Sequence, residues 1–293
     1  MMFSAALLVQ VLLAAAAFAL PSSKERMASR RARRSGDVTR TRQSKPANII
    51  TSPQVSAAVG NASHPEFSSN WAGAVLVAST ATYKSVTGTF TVPTPKSTGG
   101  SSEQCASAWV GIDGDTCDTA ILQTGVDFCV SGSAVSFDAW YEFFVSIAVI
   151  FYSALIPSFF VFKKPADSFD FSGFSVSAGD SVTVTATVTS TTEGTLTIEN
   201  NSKGTSASKT VTSTSRLCET NAEWIVEDFE ECEGNDCELV PFANFGTVEF
   251  TGASATTSSG TVTPAGATIF DIEQNSVLTS VSQSGSSVTV EFV

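Results

Sequence analysis

S-V-T-V-T-A-T-V-T-S-T-T-E-G-T-L-T-I-E-N, residues 181–200, alternates apolar and hydroxyl-bearing side chains on both sides of Thr192-Glu193-Gly194. Successive side chains of a strand point to opposite faces, so each arm has an apolar face and a polar one. Ser181 to Thr189 and Gly194 to Glu199 therefore read as strands joined by a hairpin turn. Val86 to Val92, Gly246 to Thr251 and Ser287 to Val293 repeat the alternation, and Asn200 to Gly204 and Ser284-Gly285 supply further turns. Helical periodicity is nearly absent. Short strands at this spacing predict an all-β fold, a sandwich or a barrel.

Upstream the composition changes. Leu7 to Leu20 is an apolar run ending in Ala17-Phe18-Ala19, and Pro21, Lys24 and Arg26 follow at once. The run is short for a spanning helix, so residues 1–19 read as a cleaved signal peptide, which predicts a secreted, extracellular protein. Nine of the sixteen Lys and Arg residues lie between Pro21 and Pro65, against Glu25 and Asp37 only. Residues 66–293 hold the other seven and twenty-six acidic residues, a net charge of −19. A basic segment, 20–65, ahead of so acidic a domain, 66–293, reads as a propeptide held partly by opposite charge. The secretory context argues against nucleic acid as its partner. The acidic domain repels itself at neutral pH and relaxes as carboxylates protonate, which predicts acid tolerance.

His64 is the single histidine and sits at the edge of the basic segment. Cleavage beyond it leaves a domain without histidine, which excludes Ser-His-Asp and Cys-His chemistry and most zinc sites. Acid–base work then falls to carboxylates. The six cysteines (Cys105, Cys117, Cys129, Cys218, Cys232, Cys237) are an even count in a secreted chain. Disulfides are expected, with fifteen connectivities open; zinc-type CxxC pairs are lacking, so no metal is expected.

Four strand faces carry candidate chemistry. In N-A-E-W-I-V-E-D-F (221–229), Glu223, Ile225, Glu227 and Phe229 share one face. Thr119, Ile121, Gln123, Gly125 and Asp127 share another; Trp109, Gly111 and Asp113 a third; Asp138, Trp140, Glu142 and Phe144 a fourth. Paired carboxylates also suit a solvated sheet surface, and a strand amide also suits a satisfied core. Alternation does not show whether the four faces meet. A carbohydrate-binding sandwich, or a glycosidase using Glu142 and Glu227, fits the same residues.

The blocks S-S-N-W-A-G-A-V-L (68–76), C-A-S-A-W-V-G-I-D-G-D-T-C (105–117), A-I-L-Q-T-G-V-D-F-C (120–129), D-A-W-Y-E (138–142), L-C-E-T-N-A-E-W-I-V-E-D-F-E (217–230) and D-I-E-Q (271–274) together resemble the fungal glutamic peptidases, the eqolisins. The resemblance implies a jelly-roll or concanavalin-like β-sandwich of two antiparallel sheets, one carrying a cleft on its concave face. It places the catalytic pair on Gln123 and Glu227, and Trp109, Asp113, Asp138, Trp140 and Glu142 around the cleft for substrate. It further implies Cys117–Cys218 and Cys232–Cys237, leaving Cys105 and Cys129 for each other. The activity implied is acid endopeptidase action on protein and peptide substrates, insensitive to pepstatin. No cofactor and no membrane partner are implied, with the protein's own propeptide as inhibitor and a monomer in solution. Lys96 to Gln104, where a two-chain family member has a basic linker, is short and lacks a dibasic site, so a single mature chain is expected.

One segment breaks the strand pattern. Phe143 to Phe162 carries no charge, yet holds Pro157 near its middle. Deleting Val145 to Lys164 joins W-Y-E-F-F directly to P-A-D, an aromatic strand running into a polar turn. The deleted piece is twenty codons, opening with Val-Ser, which GTAAGT encodes, and closing with Lys, which AAG encodes. These are the ends of a small intron, so the segment reads as a retained one. In a water-soluble sandwich such an apolar stretch exposes a patch that favours aggregation. Most mature transcripts from the native source should lack these sixty nucleotides; cDNA in which every transcript keeps them makes the segment a genuine loop insertion.

Overall fold

The computed structural model describes residues 42–50, 65–145, 168–233 and 236–293. The segments 1–41, 51–64 and 146–167, which hold the expected signal peptide, most of the basic segment and nearly all of the suspected insert, lie outside the described residues. The strands are β1 (Arg42–Gln43), β2 (Glu66–Ser68), β3 (Trp71–Val77), β4 (Tyr83–Thr91), β5 (Gln104–Ile112), β6 (Ala120–Ser131), β7 (Ala134–Val145), β8 (Phe169–Asp170), β9 (Ser181–Ser190) and β10 (Glu193–Asn200). They continue with β11 (Thr205–Thr212), β12 (Asn221–Glu227), β13 (Glu230–Glu233), β14 (Asp236–Leu239), β15 (Thr247–Thr257), β16 (Gly260–Val262), β17 (Thr268–Ile272), β18 (Thr279–Ser284) and β19 (Ser287–Phe292).

Two large sheets stack. One runs β2-β17-β3-β12-β5-β6-β7-β8, and the other β11-β10-β9-β4-β15-β19-β18 with β16 alongside β15. A small third sheet, β1-β13-β14, sits at the mouth of the first. The expected sandwich is present; among the described strands the parallel pair is β2 with β17.

The alternation of residues 181–200 is explained by this stacking. Val182, Val184, Ala186, Leu196 and Ile198 turn inward to the core between the sheets. The threonines turn outward and pair by hydroxyl across strands: Thr87 with Thr185 at 2.8 Å and Thr89 with Thr183 at 2.7 Å. From the opposing sheet Trp224 enters the same core, its indole N–H donating to the Thr87 carbonyl at 2.8 Å. β15 runs well past the expected Thr251. Gly252, at φ 59°, and a register shift between Thr251 and Ser254 form a bulge that breaks the period-two pattern, so the second half of the strand is hidden from a reading by alternation.

β5 and β12 are buried at every position, because the first sheet is covered on both faces. Ala108, Val110, Ala222, Trp224 and Val226 face the sandwich core. Trp109 and Ile225 face the other way, into a second apolar cluster with Trp71, Val75, Ile121, Trp140, Phe144 and Phe270. Gly125 makes this second face possible: it lies between Trp109 and Trp140 in register, and a Cβ there would come within 2.4 Å of the Trp109 Cβ. The disulfides are Cys105–Cys129, Cys117–Cys218 and Cys232–Cys237, the pairing the resemblance implied. Cys117–Cys218 closes the longest loop, a sequence separation of 101, and so restricts the unfolded chain most.

Candidate active site

The four candidate faces meet. β12, β5, β6 and β7 are neighbours in the first sheet, and the register sets Glu227 beside Ser107, Ser107 beside Asp127, Gln123 beside Glu142 and Gly125 beside Trp140. Period-two alternation then turns Glu223, Glu227, Trp109, Gln123, Asp127, Trp140 and Glu142 to the face away from the sandwich core, and all seven are fully buried.

Side-chain contacts fix the arrangement. The Trp109 indole N–H donates to Glu227 Oε2 at 3.0 Å. Gln123 donates through Nε2 to Glu142 Oε2 at 3.1 Å, while its Oε1 has no partner among the described residues. An amide has two N–H donors and one acceptor oxygen, so Gln123 keeps one of each for a reacting molecule. Trp140 donates to Ser107 Oγ at 3.1 Å, which fixes its ring. Asp138 is half-buried and directly opposite Asp127 in register.

Asp113 is the exception among the residues expected at the cleft. Its carboxylate accepts the backbone N–H groups of Cys218, Glu219, Thr220 and Asn221 at 2.7–3.2 Å, and its backbone is left-handed at φ 68°. The carboxylate thus holds the loop that the Cys117–Cys218 bridge anchors and is saturated by it. Its role here is to position β12.

Residues 42–50 lie across the site. Arg42 pairs with Glu231 and Gln43 with Glu230 through the backbone of β13. The Arg42 guanidinium is buried 3.7 Å over the Trp140 ring and 4.6 Å from Phe229. It donates to Asp127 Oδ1 at 3.1 Å, Glu227 Oε2 at 3.3 Å and Glu142 Oε2 at 3.5 Å. Ser44 donates through Oγ to Glu227 Oε2 at 2.6 Å, and the Lys45 backbone N–H to Glu227 Oε1 at 3.2 Å. Burial raises the Glu227 carboxyl to about 7, with Arg42, Ser44, the Lys45 N–H and Trp109 drawing it back down.

Sequence reading placed Asp127 and Phe229 on the right faces without assigning them to the site, and it missed Ser107 and the seated positions of Arg42 and Ser44. The available signal was the opposite charge of the two segments, which marks attraction without marking a residue.

A buried glutamate and a buried glutamine on one sheet face, with β5 between their strands, in a domain without histidine, suit a peptidase of the glutamic type. Comparison with known proteins agrees: residues 69–292 match the Peptidase A4 family, and the chain belongs to it. It is 44% identical to Aspergillopepsin-2 of Aspergillus niger, over 96% of both chains. It is 40% identical to Scytalidopepsin B of Scytalidium lignicola, over 99% of this chain and 98% of that one. Among solved structures, scytalido-glutamic peptidase with a peptide-based transition state analog is 42% identical with a TM-score of 0.63, covering 77% of this chain and 98% of its own. Aspergilloglutamic peptidase from Aspergillus niger is 50% identical with a TM-score of 0.53, covering 65% and 99%. The protein is a glutamic endopeptidase, which sets aside the lectin and glycosidase readings.

Glu223, on the same strand face as Glu227, plays a different part. It is fully buried and neither carboxylate oxygen has a partner among the described residues. Burial, then the nearby Asp113 and Asp115, push its carboxyl well above the ordinary value. A folded-state value above the unfolded one contributes stability that is complete in acid and is lost as pH rises past the unfolded value, near 4.3, toward the folded one. Glu223→Gln should therefore flatten the fall in stability between about pH 4 and neutrality and change little at pH 3. Denaturant melts at both pH values measure this; an equal effect at pH 3 would mean that the carboxyl acts through packing.

Proposed function

We propose that the protein is a secreted endopeptidase working in acid, in which Glu227 and Gln123 activate a water molecule against the scissile carbonyl. The observation that carries this reading is the seat of residues 42–45: an extended peptide reaches Glu227 and Glu142 and places a backbone N–H on Glu227 Oε1. Glu227 as carboxylate takes a proton from the water and passes it to the departing amide nitrogen. Gln123 holds the water through Oε1 and gives its free N–H to the developing oxyanion; an amide is neutral throughout the acid range. Glu142 fixes the Gln123 rotamer, and Trp109 aims Glu227. The mechanism has no paired aspartates, which supports insensitivity to pepstatin.

Acid operation is supported by the other carboxyls. Burial raises Asp115 and Asp271 to about 6, and Asp228 well above its ordinary value. The folded domain therefore keeps protons that the unfolded chain releases near pH 4, so stability falls as pH rises through that window. Secretion is supported by the apolar leader and three disulfides.

The N-terminal strap has the position of an inhibitor, since Arg42 and Ser44 occupy both the base and its surroundings. At acid pH Glu227 is neutral in the strapped chain and no longer pairs with Arg42. A peptide of residues 24–50 added to the acid-activated enzyme should inhibit near neutrality and be released in acid or in high salt. A peptide that does not inhibit at any pH excludes the strap as inhibitor. For the pair itself, Glu227→Gln should lower hydrolysis of acid-denatured casein about 100- to 10,000-fold, and Gln123→Ala about 100- to 1,000-fold, with folding unchanged. Near-normal turnover in Glu227→Gln moves the base elsewhere.

A further inference from the structure

The strap contacts Glu227 through both carboxylate oxygens, and the two contacts differ in kind. Oε1 accepts the N–H of Lys45, an amide nitrogen. Oε2 accepts the Ser44 hydroxyl, which in turn accepts from Arg42 Nη1 at 2.7 Å. Resting on the reading above, a glutamate that works as base and then as acid needs the same two neighbours: the leaving nitrogen on one oxygen and the water on the other. We infer that Ser44–Lys45 is the peptide bond this active site holds in cleavage register, a latent processing site that the Ser44 hydroxyl protects by taking the place of the attacking water.

The chain is held on both sides of that bond. Upstream, Arg42 and Gln43 add to the edge of β13. Downstream, Asn70 Nδ2 donates to the carbonyls of Lys45 and Pro46 at 3.4 and 3.3 Å, and its Oδ1 accepts from the Asn48 N–H at 3.0 Å. The Ala47 N–H donates to the Gly114 carbonyl at 3.0 Å. Side-chain amide and backbone groups supply most of these bonds, so they read peptide backbone and would hold any extended chain in the same register. The feature of residues 42–45 that opposes cleavage is the hydroxyl. A donor already bonded to Oε2 at 2.6 Å leaves a water no place on the base, and the Arg42 N–H locks the hydroxyl from its other side.

Removing the side chain should turn the strap into a substrate. In Ser44→Gly the space of Cβ and Oγ is open to one water, whose share of liquid volume is about 30 Å³. That water adds to the carbonyl carbon of residue 44 and gives its proton to Glu227. The C–N bond to Lys45 then breaks, and the same proton goes to the Lys45 nitrogen. The products are a carboxyl on residue 44 and a free amine on Lys45. Ser44→Thr keeps the hydroxyl and should stay uncut.

The test incubates the purified full-length chain near neutrality, where the strap stays seated and Glu227, raised to about 7, is partly ionised, and follows new N-termini by mass spectrometry. In Ser44→Gly a chain beginning at Lys45 should form at least tenfold faster than in the wild type or Ser44→Thr, at a rate independent of protein concentration. Adding Glu227→Gln to Ser44→Gly should abolish it. No Lys45 terminus in Ser44→Gly, an equal rate in wild type, or cleavage that survives Glu227→Gln overturns the inference. Casein hydrolysis by the same samples separates the two readings. Active protein with Ser44–Lys45 intact removes the latent site alone, whereas folded protein inactive on every substrate removes the peptidase mechanism.

Discussion

Carboxylates crowded onto one dry sheet face are the constraint around which this molecule is built. Glu142, Asp127, Glu223 and Glu227 are all fully buried on β12, β6 and β7. An ionised carboxylate removed from water carries a large desolvation penalty, and neighbours of the same sign add to it. Three remedies exist, and the protein uses all of them. Backbone amides satisfy Asp113, protonation relieves Glu223, and a guanidinium neutralises the group around Glu227. The second remedy works only in acid, and the third only while the N-terminal strap is seated.

This division links stability to regulation. A strap-free domain near neutrality faces the full repulsion of the cleft carboxylates, whereas the strapped chain brings its own counter-charge. The aromatic walls serve the same end, because Trp140 presents its face to Arg42 and Trp109 its N–H to Glu227. Trp109 also packs edge-on against Trp71, with centroids 5.0 Å apart, so the donor that aims Glu227 is itself held by the apolar cluster behind it.

Much of this was legible in the sequence, for a physical reason. Strand faces follow from a period of two, so Glu223 and Glu227 could be placed together, and Gln123 with Asp127, before any pairing was known. Neighbouring strands in a sheet are a matter of long-range register, which alternation does not encode; the meeting of β12, β5, β6 and β7 needed the family resemblance or the structure. The resemblance also set Asp113 at the cleft, where its alternation with Trp109 and Gly111 is regular. The left-handed backbone at Asp113 ends that regularity and turns the carboxylate into the 218–221 loop. Arg42 was one of nine basic residues with nothing local to single it out, because its partners lie 85, 100 and 185 positions away.

The choice of glutamine at position 123 follows from the same electrostatics. A third carboxylate beside Glu142 and Glu227 would leave neighbouring acids sharing protons, and the apparent titration of the base would belong to the group. An amide of nearly the same shape donates and accepts without titrating, so Gln123 bonds Glu142 without adding a charge to the group. On the proposed mechanism Gln123 would hold a water and an oxyanion at any pH the fold survives. On the proposed mechanism the base must be ionised, whereas folding favours protons on Glu223, Asp228, Asp115 and Asp271, so catalysis and stability ask opposite protonation states of the buried carboxyls.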